Sequence, residues 1–571
     1  MTQPQADANT PRLDLCLSLA GAVSGGAYIA GALAFIVEAL DAWHEARSRR
    51  DAEGPSDALA PEHDVVLCGL AGASSGSLTA AALTAVLDRK LPLVDADTPE
   101  DLAGRHPLYH AWVDATDITD LLGDSDAQAL PVASLLDARH LDGVACRALL
   151  DTAKLPQLPA PRAWLADPLR VGFAVTDLRG VPYELATQPV PGSASRAQDG
   201  QSQHAHTLRY AVSGLGPWPV EAVRPEEYAV QFQPDPVRNW DEWGQPFAQA
   251  ALGSAAFPVV LAARTLTRPL GQLKGQHFGL EPMQSPPALP QRALEPAWTE
   301  GNPMPPGNYR FACVDGGLLQ NNPAAMAREL LRASGSAAGA RPACAVVMID
   351  PNVHAPRAAA TEAGSLRLLD VLARSLSAVA SQASLCATDL ALRSDPQGFS
   401  RFMLSPASAA AAAGPPSSRR LAGAFLGGFG GYLSKWFRRH DYLLGRHDAQ
   451  RWVASALVLP DTHPLFARWT PQQRARYAPS PGVLPIIPLI GSLHPQHGRA
   501  EPVPDWPAGR LDPQSLRAPI GRRLDIVVRS LLVGSRWRTL GGLVWRLVLR
   551  RPAVALLMRR ARAALVGHGL L

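Results

Sequence analysis

Gly69-Leu70-Ala71-Gly72-Ala73-Ser74-Ser75-Gly76-Ser77-Leu78 follows the apolar run Val65 to Cys68 and leads into a helix-forming stretch, Thr79 to Leu87. Within it, Gly72 to Gly76 has the form G-x-S-x-G, which sets a serine on a sharp strand-to-helix turn. Gly72 and Gly76 suit a turn that strains the backbone and brings strand and helix close together. The Ser74 hydroxyl is then exposed, beside a helix N-terminus whose N–H groups favour negative charge. That is the geometry of an activated acyl-transfer nucleophile. The string is short enough to occur by chance, so its weight rests on the strand before it, the helix after it and two further motifs. Ser75 and Ser77 are nearby, but their places in the turn do not fit the nucleophile position.

The first further motif lies upstream. Leu13 to Leu19 is a short apolar strand, followed by Ala20-Gly21-Ala22-Val23-Ser24-Gly25-Gly26-Ala27 and a helix from about Tyr28 to Ala46. A glycine-rich strand-to-helix turn aims several backbone N–H groups at one point, which suits an oxyanion or a phosphate. It lacks the spacing of a dinucleotide site and the terminal Lys-Ser/Thr of a P-loop, which argues against nucleotide binding. The second motif lies downstream, where the strand Tyr309 to Val314 runs into Asp315-Gly316-Gly317-Leu318 and then Asn321-Asn322-Pro323. An aspartate at a strand end, freed by two glycines to face a cleft, is placed to take a proton from a serine. Alone, Asp-Gly-Gly reads sooner as a turn than as a catalytic site.

In this order the three motifs resemble those of the patatin-like phospholipases, which combine a glycine-rich oxyanion loop, a G-x-S-x-G turn and a D-G-G/A aspartate. Val175-Thr176-Asp177-Leu178 is similar to that family's "ATDL" strand end. Gly253-Ser254-Ala255-Ala256-Phe257-Pro258 is similar to its segment of small residues closed by proline. The resemblance spans Leu13 to Pro323 and implies a three-layer α/β/α sandwich, here with a mainly helical C-terminal extension. It implies a Ser74–Asp315 dyad without a catalytic histidine and an oxyanion loop at Gly21, Ala22, Val23, Ser24, Gly25 and Gly26. Gly72, Gly76, Gly316 and Gly317 shape the turns, and no cofactor or metal is expected. The implied substrate is a phospholipid or lysophospholipid.

One departure concerns the loop, which in the family reads G-G-G-x-[K/R]-G. Here Gly25 stands in place of the basic residue, and Ala22 and Val23 replace two glycines. Main-chain donors survive such changes. Loss of the charge leaves a catalytically weak or inactive lipid-binding or scaffold protein at the membrane as the alternative. An α/β-hydrolase triad is the rival among enzymes, since His354, His440 and His447 follow Asp315. Only one strand–helix unit precedes Ser74, however, whereas that fold has several.

Composition sets the frame. The 571 residues can bury at least one substantial core, and the net charge of +4 identifies no partner. All but four of the 54 basic residues are arginine. Six cysteines form no C-x-x-C pair, and Cys16, Cys68, Cys313 and Cys344 fall in predicted core strands, as reduced apolar filler. No zinc or EF-hand spacing occurs. The polar N-terminus reads against a secretory signal, giving an expected cytoplasmic location, peripheral on the inner face of the membrane. Leu15 to Val37 carries no charge over a length that could span a bilayer. Its glycines and serines favour strand, loop and helix instead.

The chain divides into a disordered tail (1–12), an acyl-hydrolase domain (13–355) and a helical, arginine-rich region (356–571). Arg47 to Glu62 reads as a polar connector and Pro92 to Pro161 as a helical insertion. Pro189 to His206 and Leu280 to Pro306 read as surface loops. Cys344 to Ile349 is a further central strand. Beyond it, Ala359 to Leu392 is an Ala/Leu-rich helix and Ala407 to Ser418 a linker. Gly427 to Trp452 mixes Tyr432, Trp436, Phe437 and Tyr442 with Lys435, Arg438, Arg439 and Arg446. Arg517 to Leu571 sets twelve arginines against one acid, Asp525, with Leu524, Val527, Val528, Leu531 and Leu532 at helical spacing. Such a helix either docks on a membrane or packs on the core with its arginines in water. Nothing in it reads as a nucleic-acid motif, and the sequence sets no oligomeric state.

Overall fold

In strand β1 (Arg12–Leu19), Leu13, Leu15, Leu17 and Leu19 point to one face and Cys16 to the other, and all are buried. That double burial marks a central strand with layers on both sides. The computed structural model describes residues 10–53, 60–128, 130–150, 152, 155–186, 198–232, 245–273, 296–298, 303–332, 343–352, 382, 402–406 and 421–571. The proposed helix at 359–392, the linker at 407–418, His354, Cys386 and most of the 280–306 loop lie outside them, as do residues 1–9.

The fold is mixed α/β with a mostly parallel central sheet. After β1 come helix α1 (Gly26–Glu53), strand β2 (Asp64–Ala73), helix α2 (Ser75–Thr84) and, past a run of short turns, helix α3 (Arg139–Leu150). Strands β3 (Leu165–Ala186), β4 (Gln198–Ser213) and β5 (Tyr228–Gln231) follow, then helix α4 (Gln245–Ser254). Strands β6 (Arg264–Pro269) and β7 (Asn308–Asp315), helix α5 (Ala324–Arg332) and strands β8 (Ala343–Ile349) and β9 (Phe402–Leu404) complete the sheet region. The sheet order is β9-β8-β1-β2-β3-β4-β5, parallel from β9 to β3. Strand β4 joins β3 antiparallel, as do β7 to β3 and β6 to β7. Residues of β1, β2 and β8 that face one way share a core with α1 and α2, and those that face the other way pack under α5.

The uncharged N-terminal stretch is strand, loop and helix, as its glycines indicate. Helix α1 is long and apolar enough to cross a membrane, yet most of it is buried inside the protein. Its first half, Gly26 to Val37, is apolar all round because it is covered all round. Its partner is helix α6 (Lys435–Ser455), from the arginine-rich half of the chain. The two backbones touch through reciprocal glycines. A Cβ on Gly31 would stand 1.9 Å from the Tyr442 carbonyl oxygen, and one on Gly445 would stand 2.1 Å from that of Tyr28. Tyr28 donates to Asp448 (3.0 Å), and Arg446 reaches Glu38 (2.9 Å) and Glu501.

Several expectations are corrected. Residues 421–571 do not pack as a separate unit, because Tyr442, Leu444 and Trp452 belong to the main core. Arg438 and Arg446 are buried rather than displayed; Arg438 is spent on the carbonyls of Val113, Gly431 and Tyr432. The connector at 47–62 is helical as far as Glu53, supported in its last turns by an Arg49–Glu45 pair one turn apart. Residues 198–206, expected in a loop, are strand β4, since their main chain pairs with the second half of β3. Cys344 is exposed, because it is the second residue of β8, ahead of the five that are buried, whereas Cys16, Cys68 and Cys313 are buried as expected. Arg12 begins β1 and pairs with Asp14, so the tail ends earlier than residue 12.

Ala in place of Gly normally stabilises a helix by up to about 1 kcal/mol. Gly31→Ala and Gly445→Ala are expected to reverse that sign and lower the melting temperature, at a cost of about 2 kcal/mol or more in overpacking. Gly542→Ala, in the exposed helix Arg538–Val544 with nothing within 4 Å of the added carbon, should raise it slightly. Thermal melts of the three variants check the contrast.

Candidate active site

Strand β3 brings the two candidate catalytic residues together. Its Ala174 pairs with Ala73, the last residue of β2. Its next residue, Val175, pairs with Asp315, the last residue of β7. The two partners run in opposite directions along the same edge of β3, so their ends meet head to head. Ser74 leaves one end and Asp315 closes the other. The Ser74 Oγ donates to Asp315 Oδ2 at 2.7 Å, and both residues are buried.

Ser74 has φ +52° and ψ −123°, a backbone state that costs a non-glycine residue about 1–3 kcal/mol. The strain thus falls on the serine itself. Neither Gly72 nor Gly76 has a positive φ; they are needed for space, since a Cβ on Gly76 would lie 2.1 Å from the Leu19 carbonyl oxygen. The Ser74 N–H donates to Ser254 Oγ (3.0 Å), at the end of α4, and Ser254 is in turn bonded to Ser77. Ser75 is also occupied, its Oγ accepting from the Ala22 N–H (2.9 Å).

Asp315 is fixed at every polar atom. Its N–H donates to the Ala256 carbonyl (2.9 Å), its carbonyl accepts from Thr176 Oγ1 (2.9 Å), and Oδ1 accepts from the Gly317 N–H (2.7 Å). The two weaker sequence matches therefore have structural tasks, 175–178 in pairing with β7 and 253–258 in bracing both residues. Asp177 is placed away from the dyad and accepts from Tyr309 (2.6 Å). Burial pushes the Asp315 carboxyl from 3.8 up to about 6, against the opposing pull of the Ser74 and Gly317 hydrogen bonds.

The six-residue loop is more selective than its composition indicates. The Gly21 N–H is spent on the Asn321 carbonyl and Ala22 on Ser75; Gly25 donates to Ala22, and Gly26 closes the short helical turn. Among the described residues, only the N–H groups of Val23 and Ser24 in this loop make no hydrogen bond within the protein. Val23 stands at φ +52°, a costly state for a β-branched residue, and lines the cleft with Ser74. The Gly21 carbonyl accepts from both Asn321 and Asn352 side chains, which ties the loop to the segment beyond Asp315.

The cleft of about 980 Å³, open solvent included, runs from Ser74 and Asp315 between α2, α3 and α4. Its walls are mostly alanine, leucine and valine. The charged side chain Arg264 is engaged by Asp142 (2.6 Å). No histidine lines it among the described residues; His440 instead contacts Asp441, and His447 the Glu501 carbonyl. No group of three or more His, Cys, Asp or Glu side chains able to hold a metal occurs among the described residues.

The residues missed by sequence lie at 426–433. Phe429 and Tyr432 line the cleft, and Ser24 donates to the Gly428 carbonyl while accepting from the Gly431 N–H (3.1 Å). Phe257 and Phe429 meet edge to face at 5.6 Å. Burial and the neighbouring Asp315 charge raise the Tyr432 phenol well above its usual range. The sequence signal for these residues is a second glycine cluster, Gly427-Gly428-Phe429-Gly430-Gly431, at the head of the aromatic and basic stretch Gly427 to Trp452.

The raised carboxyl makes the site costly to fold. A group whose folded pKa exceeds its unfolded value stabilises most when protonated, and that stabilisation is lost as pH rises from about 4 through about 6. Above that, the desolvated carboxylate costs about 3 kcal/mol. Asp315→Asn is therefore expected to melt higher than wild type at pH 8 and close to it at pH 4.5, as read by calorimetry.

Two comparisons with known proteins bear on the chain. A family described as a protein of unknown function (DUF3376) matches residues 388–480, which include the 426–433 segment and α6. The chain is also similar to the uncharacterized protein y4iI of Sinorhizobium fredii (strain NBRC 101917 / NGR234). The two are 29% identical over 581 residues, covering 92% of this chain and 77% of that protein.

Proposed function

We propose that this chain is a serine acyl-ester hydrolase of the patatin-like type, acting on phospholipids or lysophospholipids through a Ser74–Asp315 dyad. The observation that carries the proposal is the 2.7 Å hydrogen bond from a strained serine to a desolvated carboxylate at the head of an apolar cleft. A carboxylate at its ordinary pKa is a poor base for a serine; one raised to about 6 is a better match to neutral pH.

In the proposed reaction Ser74 Oγ attacks the ester carbonyl carbon as its proton passes to Asp315 Oδ2. The oxyanion forms against the open N–H groups of Val23 and Ser24, donors of a kind worth about 10²–10³ in kcat each. The carbon–oxygen bond to the alcohol then breaks, and Asp315 returns the proton to the departing alkoxide. Water attacks the acyl-serine along the same path, with Asp315 again taking and returning a proton. The alanine-walled cleft accepts the acyl chain; beyond the Asp315 at its head, its charged wall residue Arg264 is paired with Asp142, which favours hydrocarbon over a polar acid.

Fatty-acid release from mixed phospholipid vesicles in EDTA tests the proposal. Ser74→Ala and Asp315→Asn should each lower release by about 10³-fold or more. Wild-type kcat/KM should climb as pH rises through about 6, because only the ionised Asp315 accepts a proton. A folded wild type that releases nothing and leaves Ser74 unlabelled by a fluorophosphonate would overturn the hydrolase and favour the non-catalytic lipid-binding alternative.

A further inference from the structure

Helices α7 (Arg517–Leu531) and α8 (Arg550–Gly567) are joined by a helical tip, residues 532–549, that is largely uncovered. Leu531 is 77% exposed, Leu547 73%, Val548 62% and Trp537 58%. Leu540 and Leu543 are exposed beside them. Single exposed apolar residues are ordinary on a surface, but a contiguous group of this size marks an interaction site. The tip is at once apolar and basic: Arg536, Arg538 and Arg546 are exposed, and none makes an ion pair among the described residues. The one acidic side chain of residues 517–571, Asp525, is taken up by Arg550 Nε (2.9 Å) and Trp545 Nε1 (2.9 Å). That pair closes the α7–α8 hairpin and removes its negative charge from the face.

The base of the tip is bolted to the mouth of the cleft. Arg523, buried, holds Asp126 and the carbonyls of Ser134 and Leu135, and Ser530 Oγ accepts from the Val132 N–H (2.8 Å). The same 132–136 segment donates from Leu135 to the Val259 carbonyl (2.9 Å) and from Leu136 to that of Val260 (3.0 Å). Val259 is exposed between Phe257 and Leu261, both of which line the cleft. Tip and cleft lip are thus one hydrogen-bonded assembly.

We infer that the α7–α8 tip is a docking element for the surface of an anionic lipid bilayer. Its leucines and Trp537 enter the headgroup boundary, its arginines meet the lipid phosphates, and the Phe257–Leu261 lip is carried toward the membrane with the cleft behind it. The last clause rests on the hydrolase proposal; the docking itself does not. The charge pattern selects this occupant, because a second copy of this chain would set the same arginines against each other.

The test is flotation of the full chain with phosphatidylcholine vesicles with or without phosphatidylglycerol, alongside hydrolysis of a soluble short-chain ester. Wild type is expected to float with the anionic vesicles. Leu543→Asp/Leu547→Asp/Val548→Asp should lose at least tenfold in partitioning. Arg536→Gln/Arg538→Gln/Arg546→Gln should lose about fivefold per charge on anionic vesicles only. Both variants should keep the soluble-ester rate, since these side chains lie on the surface. Wild type that hydrolyses the soluble ester but stays off anionic vesicles overturns the docking and leaves the hydrolase standing. Flotation without ester hydrolysis does the reverse. A dimer in sedimentation equilibrium that the leucine variant dissociates, with no flotation, assigns the face to a second copy and also overturns the inference.

Discussion

A carboxylate buried without a cationic partner is expensive, and the structure around Asp315 is arranged to hold one. Among the described residues, its side-chain oxygens are compensated by two hydrogen bonds, from Ser74 and from the Gly317 N–H. The Ser74 bond spans two strand ends and would be lost with a small shift of either, leaving the carboxylate closer to neutralising. Precision has to come from the backbone, and β3 supplies it by pairing on adjacent residues with the ends of β2 and β7. The brackets from Ser254, Ala256 and Thr176 remove the remaining freedom. Strain at Ser74 and desolvation at Asp315 are two costs accepted at one point, a pattern characteristic of sites where reactivity outranks stability.

The second half of the chain is as much a part of this centre as the first. Ser24 is clasped by the Gly428 carbonyl and the Gly431 N–H, so the loop that sets Val23 in the cleft wall is held by residues about four hundred positions away. The helix that follows this clasp, α6, lies against α1 at glycine-to-backbone distance. Glycines at such a crossing let the main chains close without side chains between them, and the buried Tyr28–Asp448 and part-buried Glu38–Arg446 contacts fix the register.

How much of this was legible in the sequence differed from element to element. Alternation in Leu13 to Leu19, and the apolar runs before Ser74 and Asp315, reported strands because a strand covered on both faces has few other compositions. The positions of Ser74 and Asp315 were legible because turn chemistry is local. What was not legible required knowing neighbours. The four spent N–H groups of the Gly21–Gly26 loop depend on Asn321, Ser75 and the loop's own winding, and composition alone cannot separate them from the two open ones. Arg438 and Arg446 looked like surface charge because burial of a guanidinium is decided by acceptors elsewhere, here Val113, Glu38 and Glu501. Residues 198–206 looked like a loop because β4 draws its order from pairing with β3 rather than from apolar side chains.

The Ser24–Gly428 clasp joins residues 404 positions apart, and this separation sets an order of events during synthesis. At about 5–20 residues per second, a ribosome takes roughly 20–80 s to pass from one to the other. For that interval α1, whose first half is apolar on every face, has left the ribosome without the α6 helix that packs on it. The nascent chain is then at its most aggregation-prone, and its demand for chaperone cover is greatest. The Gly21–Gly26 loop gains its Ser24 contacts only when the glycine cluster at 427–431 arrives, so a truncated product would carry Ser74 and Asp315 and still lack that clasp.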